Sequence, residues 1–171
     1  MKNIVLIGMP GCGKTTVAKE LASLLQGVVC VDIDEEIVKA QNRTINDIFE
    51  KDGENFFREL ETQMLTKYTG TDNFIISTGG GVVERDENID LLKETGLIFY
   101  LYADIDVLMK RLKKDSSRPL LKGHNLKMKL NILFARRDYK FRQADFIIDT
   151  GKMSPKEIAV KITEEINYGG N

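Results

Sequence analysis

Apolar residues are grouped along the chain in short runs, separated by longer stretches in which they recur every third or fourth position. The run NIVLIG, starting at Asn3, predicts a short buried strand. KTTVAKELASLLQG then places Val17, Leu21, Leu24 and Leu25 on one helical face, and Gly27 ends it. VVCVDID, residues 28–34, predicts a second strand. TINDIFEKDG predicts a helix capped by Thr44, with Asp47 three residues on and Gly53 as its stop. ENFFRELETQMLTKYTG predicts another, with Phe57, Leu60, Met64 and Tyr68 in register. NFIIST is a third strand, followed by three glycines. DENIDLLKETG reads as a helix, LIFYLYA as a fourth strand and DIDVLMKRLKK as a helix capped by Asp104. ADFIIDT is a fifth strand. SPKE at 154–157 is a capping box with proline at the first helical position, and it opens a last helix before a fraying YGGN.

Short apolar strands alternating with helices imply an α/β fold: a five-stranded parallel sheet in three α/β/α layers, with helices on both faces. No repeat, low-complexity tract or linker divides the chain, so residues 1–171 read as one domain. Right-handed crossovers place ligands beyond the carboxyl ends of the strands. The candidate residues cluster after strands one, two and three.

Charge narrows the function classes. Lysine plus arginine number 25 against 26 aspartates and glutamates, a net charge of -1, which argues against a general nucleic-acid binder. No run approaches the ~20 apolar residues of a membrane helix, and nothing resembles a secretion signal. Two cysteines, Cys12 and Cys30, read as reduced thiols of a cytoplasmic protein.

GMPGCGKTT, residues 8–16, carries the first chemistry. Gly8, Gly13, Lys14 and Thr15 match G-x-x-x-x-G-K-[ST], with a strand before and a helix after. Glycines let successive N–H groups point inward at an anion, and the helix adds its positive end. Gly11, Cys12, Gly13, Lys14, Thr15 and Thr16 are therefore the expected lining for a nucleotide's phosphates. Lys14 is expected to reach the terminal phosphates and the Thr15 hydroxyl to ligate magnesium. Cys12 contributes its backbone N–H. The guanine-reading string N-K-x-D does not occur.

A second polar set follows. If strand two stays extended, Asp32 and Asp34 present carboxylates to one side, one for magnesium and one for a substrate hydroxyl; alternatively they cap a helix before Glu35 and Glu36. Arg58 and Glu61 are spaced for an intrahelical pair. Gly79, Gly80 and Gly81 are costly in conformational entropy, and close approach of the backbone to a small ligand explains them better than a plain turn. Residues 111–129 hold seven basic side chains against one acidic and no aromatic, which suits a mobile arginine lid over phosphates more than base stacking. Arg118, before Pro119, is its best-placed member, and His124 reads as exposed and non-catalytic.

Together the phosphate loop, DID, IFEKDGENFFRELE, STGGG, SRPLL and RRDYKFRQAD resemble shikimate kinase over essentially the full chain. The resemblance implies a P-loop kinase fold with a substrate-binding helical region near 33–61 and a lid near 112–125. It implies ATP- and Mg2+-dependent phosphorylation of the 3-hydroxyl of shikimate; a monomer with no nucleic-acid or membrane partner is the accompanying expectation. By position, Lys14 would hold the transferred phosphate, and Thr15 and Asp32 would serve the metal. Asp34 would contact the reacting hydroxyl. Arg58 and Arg136 would clamp the carboxylate, with Gly79, Gly80 and Gly81 along the ring. Phe49 and Phe57 would wall the pocket, with Glu61 orienting nearby groups. Arg118 would come from the lid, and Arg111 would lie against adenine. The family usually reads R-x-P-x-Y before its A-D pair. Counting back from Ala144 without a gap gives Arg136; a one-residue shift gives Arg137, with Phe141 standing for tyrosine.

Overall fold

The structure is a computed structural model that describes residues 1–114 and 125–168. The strands β1 (Asn3–Ile7), β2 (Val29–Asp32), β3 (Phe74–Ser77), β4 (Gly96–Tyr102) and β5 (Phe146–Asp149) form one sheet in the order β2-β3-β1-β4-β5. Every neighbouring pair is parallel. Central β1 is buried at all five positions, as a strand covered on both faces must be. Its Ile4, Val5 and Leu6 join Ile75, Ile76, Ile98 and Phe99 in the core.

The connections carry helices α1 (Lys14–Leu24), α2 (Ile33–Gln41), α3 (Ile45–Lys51), α4 (Gly53–Thr69), α5 (Asp86–Thr95), α6 (Ile105–Lys114), α7 (Leu126–Phe141) and α8 (Pro155–Tyr168). From β1 the chain passes over β3 to reach β2, and from β3 it passes over β1 to reach β4. Right-handed crossovers send these two connections to opposite faces, so a crevice opens beyond the carboxyl ends of β1 and β3. Both glycine-rich segments lie there.

Two of the caps read from the sequence close as capping boxes. Thr44 and Asp47 close a capping box on α3, and Ser154 and Glu157 close one on α8. Three readings change. Strand β2 stops at Asp32 rather than Asp34, because the Asp32 carboxylate accepts from the amides of Asp34 and Glu35 and so starts α2. Leu24 is 42% exposed, since it ends α1 where the packing partners stop. Helix α7 occupies a span in which no helix was expected. Its inward positions are Leu130, Arg137 and Phe141, so an arginine stands where an apolar residue would have completed the periodic signal. The expected lid falls almost wholly on residues 115–124, and with it Arg118 and His124 lie outside the described residues. Cys12 and Cys30 are both free. Among the described residues no helix is long and apolar enough to cross a membrane.

Asn3 ties the start of β1 to the approach to β3. Its fully buried side chain donates to Thr71 O at 2.8 Å and accepts from Phe74 N at 2.9 Å. Asn3→Ala should lower unfolding free energy by about 1–3 kcal/mol, because buried groups lose their partners. Urea unfolding measures this; an unchanged midpoint would remove Asn3 from that role.

Candidate active site

The loop after β1 turns through backbone that suits only glycine. Gly11 and Gly13 have φ of 83° and 100°, and a Cβ on Gly8 would meet Leu101 O at 2.6 Å. Cys12 N closes the turn onto Met9 O at 3.2 Å. The curl surrounds the Lys14 ammonium, which donates to Gly8 O at 2.9 Å and Met9 O at 3.2 Å. Cys12 is buried, with Sγ 3.6 Å from Lys14 Nζ.

A cleft of about 390 Å³ opens on this loop. Gly11, Cys12, Gly13, Lys14, Thr15 and Thr16 form its near wall. Asp32, Asp34 and Thr78 reach it from the ends of β2 and β3. Arg111, Met153, Pro155 and Ile158 close its far end. Arg111 is fixed there by Nη1 to Thr150 Oγ1 (3.1 Å) and Cys12 O (3.2 Å), and by Nη2 to Thr150 O (2.7 Å). A planar cation beside an apolar rim, at the loop's far side, has the chemistry to receive a nucleobase.

Thr15 and Asp32 come together as the sequence led one to expect. Thr15 Oγ1 donates to Asp32 Oδ2 at 2.6 Å. Ser77 Oγ donates to the same oxygen at 2.9 Å, a contact that spacing alone did not indicate. Two hard oxygens beside a phosphate loop suit Mg2+, which takes one or two protein ligands and completes its shell with phosphate and water. Among the described residues no cluster of three or more acidic, histidine or cysteine side chains forms a metal cage.

A second, charged wall is built on α4 and the triple glycine. Arg58 Nη1 donates to Glu61 Oε2 at 2.5 Å and Nη2 to Glu54 Oε1 at 2.9 Å. Its guanidinium lies 5.5 Å from the Phe57 ring centroid, and Phe57 packs on half-buried Phe49 at 4.8 Å. The glycines are required by these side chains. A Cβ on Gly79 would fall 2.3 Å from Glu61 Oε1 and 2.8 Å from Asp34 Oδ1. One on Gly81 would fall 2.1 Å from Arg58 Nη1, and one on Gly80 would strike the Pro10 ring at 2.7 Å. The last contact joins the glycine segment directly to the phosphate loop. Asp34, in the first turn of α2, borders both halves.

The second arginine at this edge is Arg137, not Arg136. Arg137 has 7% of its side chain exposed and donates from Nη1 to Gly80 O at 3.1 Å. Arg136 is 59% exposed on the outer face of α7, where it pairs with Glu84. Consecutive residues on a helix point about 100° apart, so only one of the two can face inward. Phe141, one turn on and fully buried, confirms the register.

Burial pushes the Glu61 carboxyl up to about 7; Arg58 opposes the rise and the nearby Asp34 charge adds to it. No described residue donates to Glu61 Oε1.

The shikimate kinase family model matches residues 10–167. The shikimate kinase of Thermodesulfovibrio yellowstonii is 46% identical over 165 residues, 96% of this chain and 95% of that protein. The shikimate kinase of Caldicellulosiruptor bescii is 44% identical over 163 residues, 95% of this chain and 94% of that one. Among solved structures, shikimate kinase from Acinetobacter baumannii in complex with shikimate matches with a TM-score of 0.94 and 37% identity, covering 99% of this chain and 95% of that one.

A carboxyl whose folded pKa lies above its unfolded value takes up a proton on folding. The contribution of Glu61 is therefore complete below about pH 4.5 and lost as pH rises to about 7. The loss should amount to roughly 3 kcal/mol at most. Glu61→Gln should flatten the stability profile across that window in urea titrations at successive pH values. Parallel profiles for both proteins would reject the shift.

Proposed function

The chain belongs to the shikimate kinase family, and we propose that it transfers the terminal phosphoryl group of ATP to the 3-hydroxyl of shikimate, giving shikimate 3-phosphate and ADP. We read it as a single-domain cytoplasmic monomer on the route to aromatic amino acids. The observation that carries the reaction is the meeting of two half-sites at Gly79–Gly81. One of these glycines abuts Pro10 of the phosphate loop, and its neighbours abut Asp34, Glu61 and Arg58.

The division of labour follows from the chemistry. A secondary alcohol is a weak nucleophile and phosphoryl transfer has a loose transition state, so most of the task is alignment and charge neutralisation. Lys14, at the centre of the curled loop, supplies positive charge to the transferred phosphate. Thr15 and Asp32 would hold Mg2+, which when bound neutralises charge on the triphosphate. Asp34 orients the hydroxyl and accepts its proton late. Arg58 and Arg137 grip the acceptor carboxylate, for which the planar guanidinium fork is suited. Phe49 and Phe57 back Arg58, and Arg111 meets the adenine. Arg118 retains its assignment as a cation for the phosphates on sequence grounds.

A coupled assay of ADP release with ATP and Mg2+ tests the reaction. Shikimate should drive turnover, while gluconate and nucleoside monophosphates should not; turnover on one of those instead would replace the assignment. Asp34→Asn should cut kcat by about 10²-fold or more with shikimate affinity roughly kept. Unchanged turnover would remove Asp34 from proton transfer. Arg58→Ala and Arg137→Ala should each weaken shikimate binding by about 2–5 kcal/mol, leaving the KM for ATP nearly unchanged. Arg136→Ala should leave both constants close to wild type, and a reversed order of the two neighbours would restore Arg136 as the clamp.

A further inference from the structure

Arg137 approaches the site from the side of α7, and its long side chain needs something to hold its plane. Its Nε donates to Glu84 Oε1 at 2.6 Å and its Nη1 to Gly80 O at 3.1 Å. No described residue accepts from Nη2. Glu84 closes the 3-10 turn Val82–Glu84, which continues directly from the triple glycine. Its carboxylate is thereby fixed relative to Gly80, the other anchor of the same guanidinium. The second oxygen, Oε2, accepts from Arg136 Nη2 at 2.9 Å. One glutamate thus holds two consecutive arginines, one facing in and one facing out.

Two anchors on one planar group leave it little freedom to rotate. Burial works against ionisation of Glu84, but the hydrogen bond and charge of Arg137, with Arg136 and Arg58 behind it, hold its carboxyl below the usual carboxylate range. Burial and the neighbouring arginines act against the charge of Arg137 and hold it below its usual range, and Glu84 offsets them only in part.

We propose that Glu84 is a positioning residue for acceptor recognition: it sets the plane of Arg137 so that Nη2 faces the acceptor carboxylate. This rests on the functional reading above. Glu84 itself touches no reacting atom. Without it, Arg137 would keep only the Gly80 carbonyl and would lose orientation rather than presence.

The test is a double-mutant cycle in steady-state kinetics on the full chain, using Glu84→Ala, Arg137→Ala and the pair, with shikimate and ATP varied separately. Glu84→Ala should raise the KM for shikimate about tenfold while kcat and the KM for ATP stay within about threefold. In the Arg137→Ala background the same change should add nothing. Glu84→Gln, which keeps an acceptor oxygen and the side-chain shape, should give a smaller rise, and it replaces alanine in the cycle if that variant does not fold. Additive penalties, or equal losses in shikimate and ATP constants, would overturn the inference while leaving the function intact. Absence of shikimate turnover in the wild-type chain would remove both.

Discussion

The Asp32 carboxylate is the junction on which the site depends. It accepts from Thr15 Oγ1 and Ser77 Oγ on one oxygen, and from the amides of Asp34 and Glu35 on the other. Those donors belong to the start of α1, the end of β3 and the start of α2. A single side chain thereby joins the phosphate loop's helix, the strand before the triple glycine and the helix that presents Asp34. Carboxylates tolerate this because they accept several hydrogen bonds at once and favour a helix N-terminus. The Thr15–Asp32 pair and the Asp34 side chain are consequently set by one arrangement.

Around this junction the acceptor half concentrates charge where solvent is scarce. Arg58, Glu61 and Arg137 are all buried, and Glu84 is nearly so. Such burial costs desolvation free energy that pairing repays only in good geometry. Here each inward arginine is backed by a glutamate, Arg58 by Glu61 and Arg137 by Glu84. The benefit is orientation. A guanidinium already held in its plane loses little entropy when a carboxylate binds, whereas a free surface arginine loses more. The triple glycine belongs to the same arrangement: side chains at 79 and 81 would occupy the space taken by Glu61 and Arg58. Those glycines serve the packing of the site's own charges against the backbone.

Much of this could be read along the chain because it is local. The phosphate loop, the caps at Thr44 and Ser154 and all five strands follow from patterns spanning a few residues, and backbone geometry and burial act over that range. The Thr15 and Asp32 pair was legible because each ends a recognisable element. Helix α2 stood only as one of two alternatives, because its capping aspartate also looks like a strand residue. Helix α7 was missed because its inward face contains Arg137, and hydrophobic periodicity cannot register a buried charge.

The sequence alone determined the parallel α/β architecture and the phosphate cradle, since strand–loop–helix order and residue type suffice for these. Only the tertiary structure turned Arg137 inward and Arg136 outward, brought Glu84 and Ser77 to the site, and explained the glycines through Arg58 and Glu61. The physical reason is the same in each case. Which side of a helix faces a crevice, and which distant side chain fills the space above a glycine, depend on how separate elements pack.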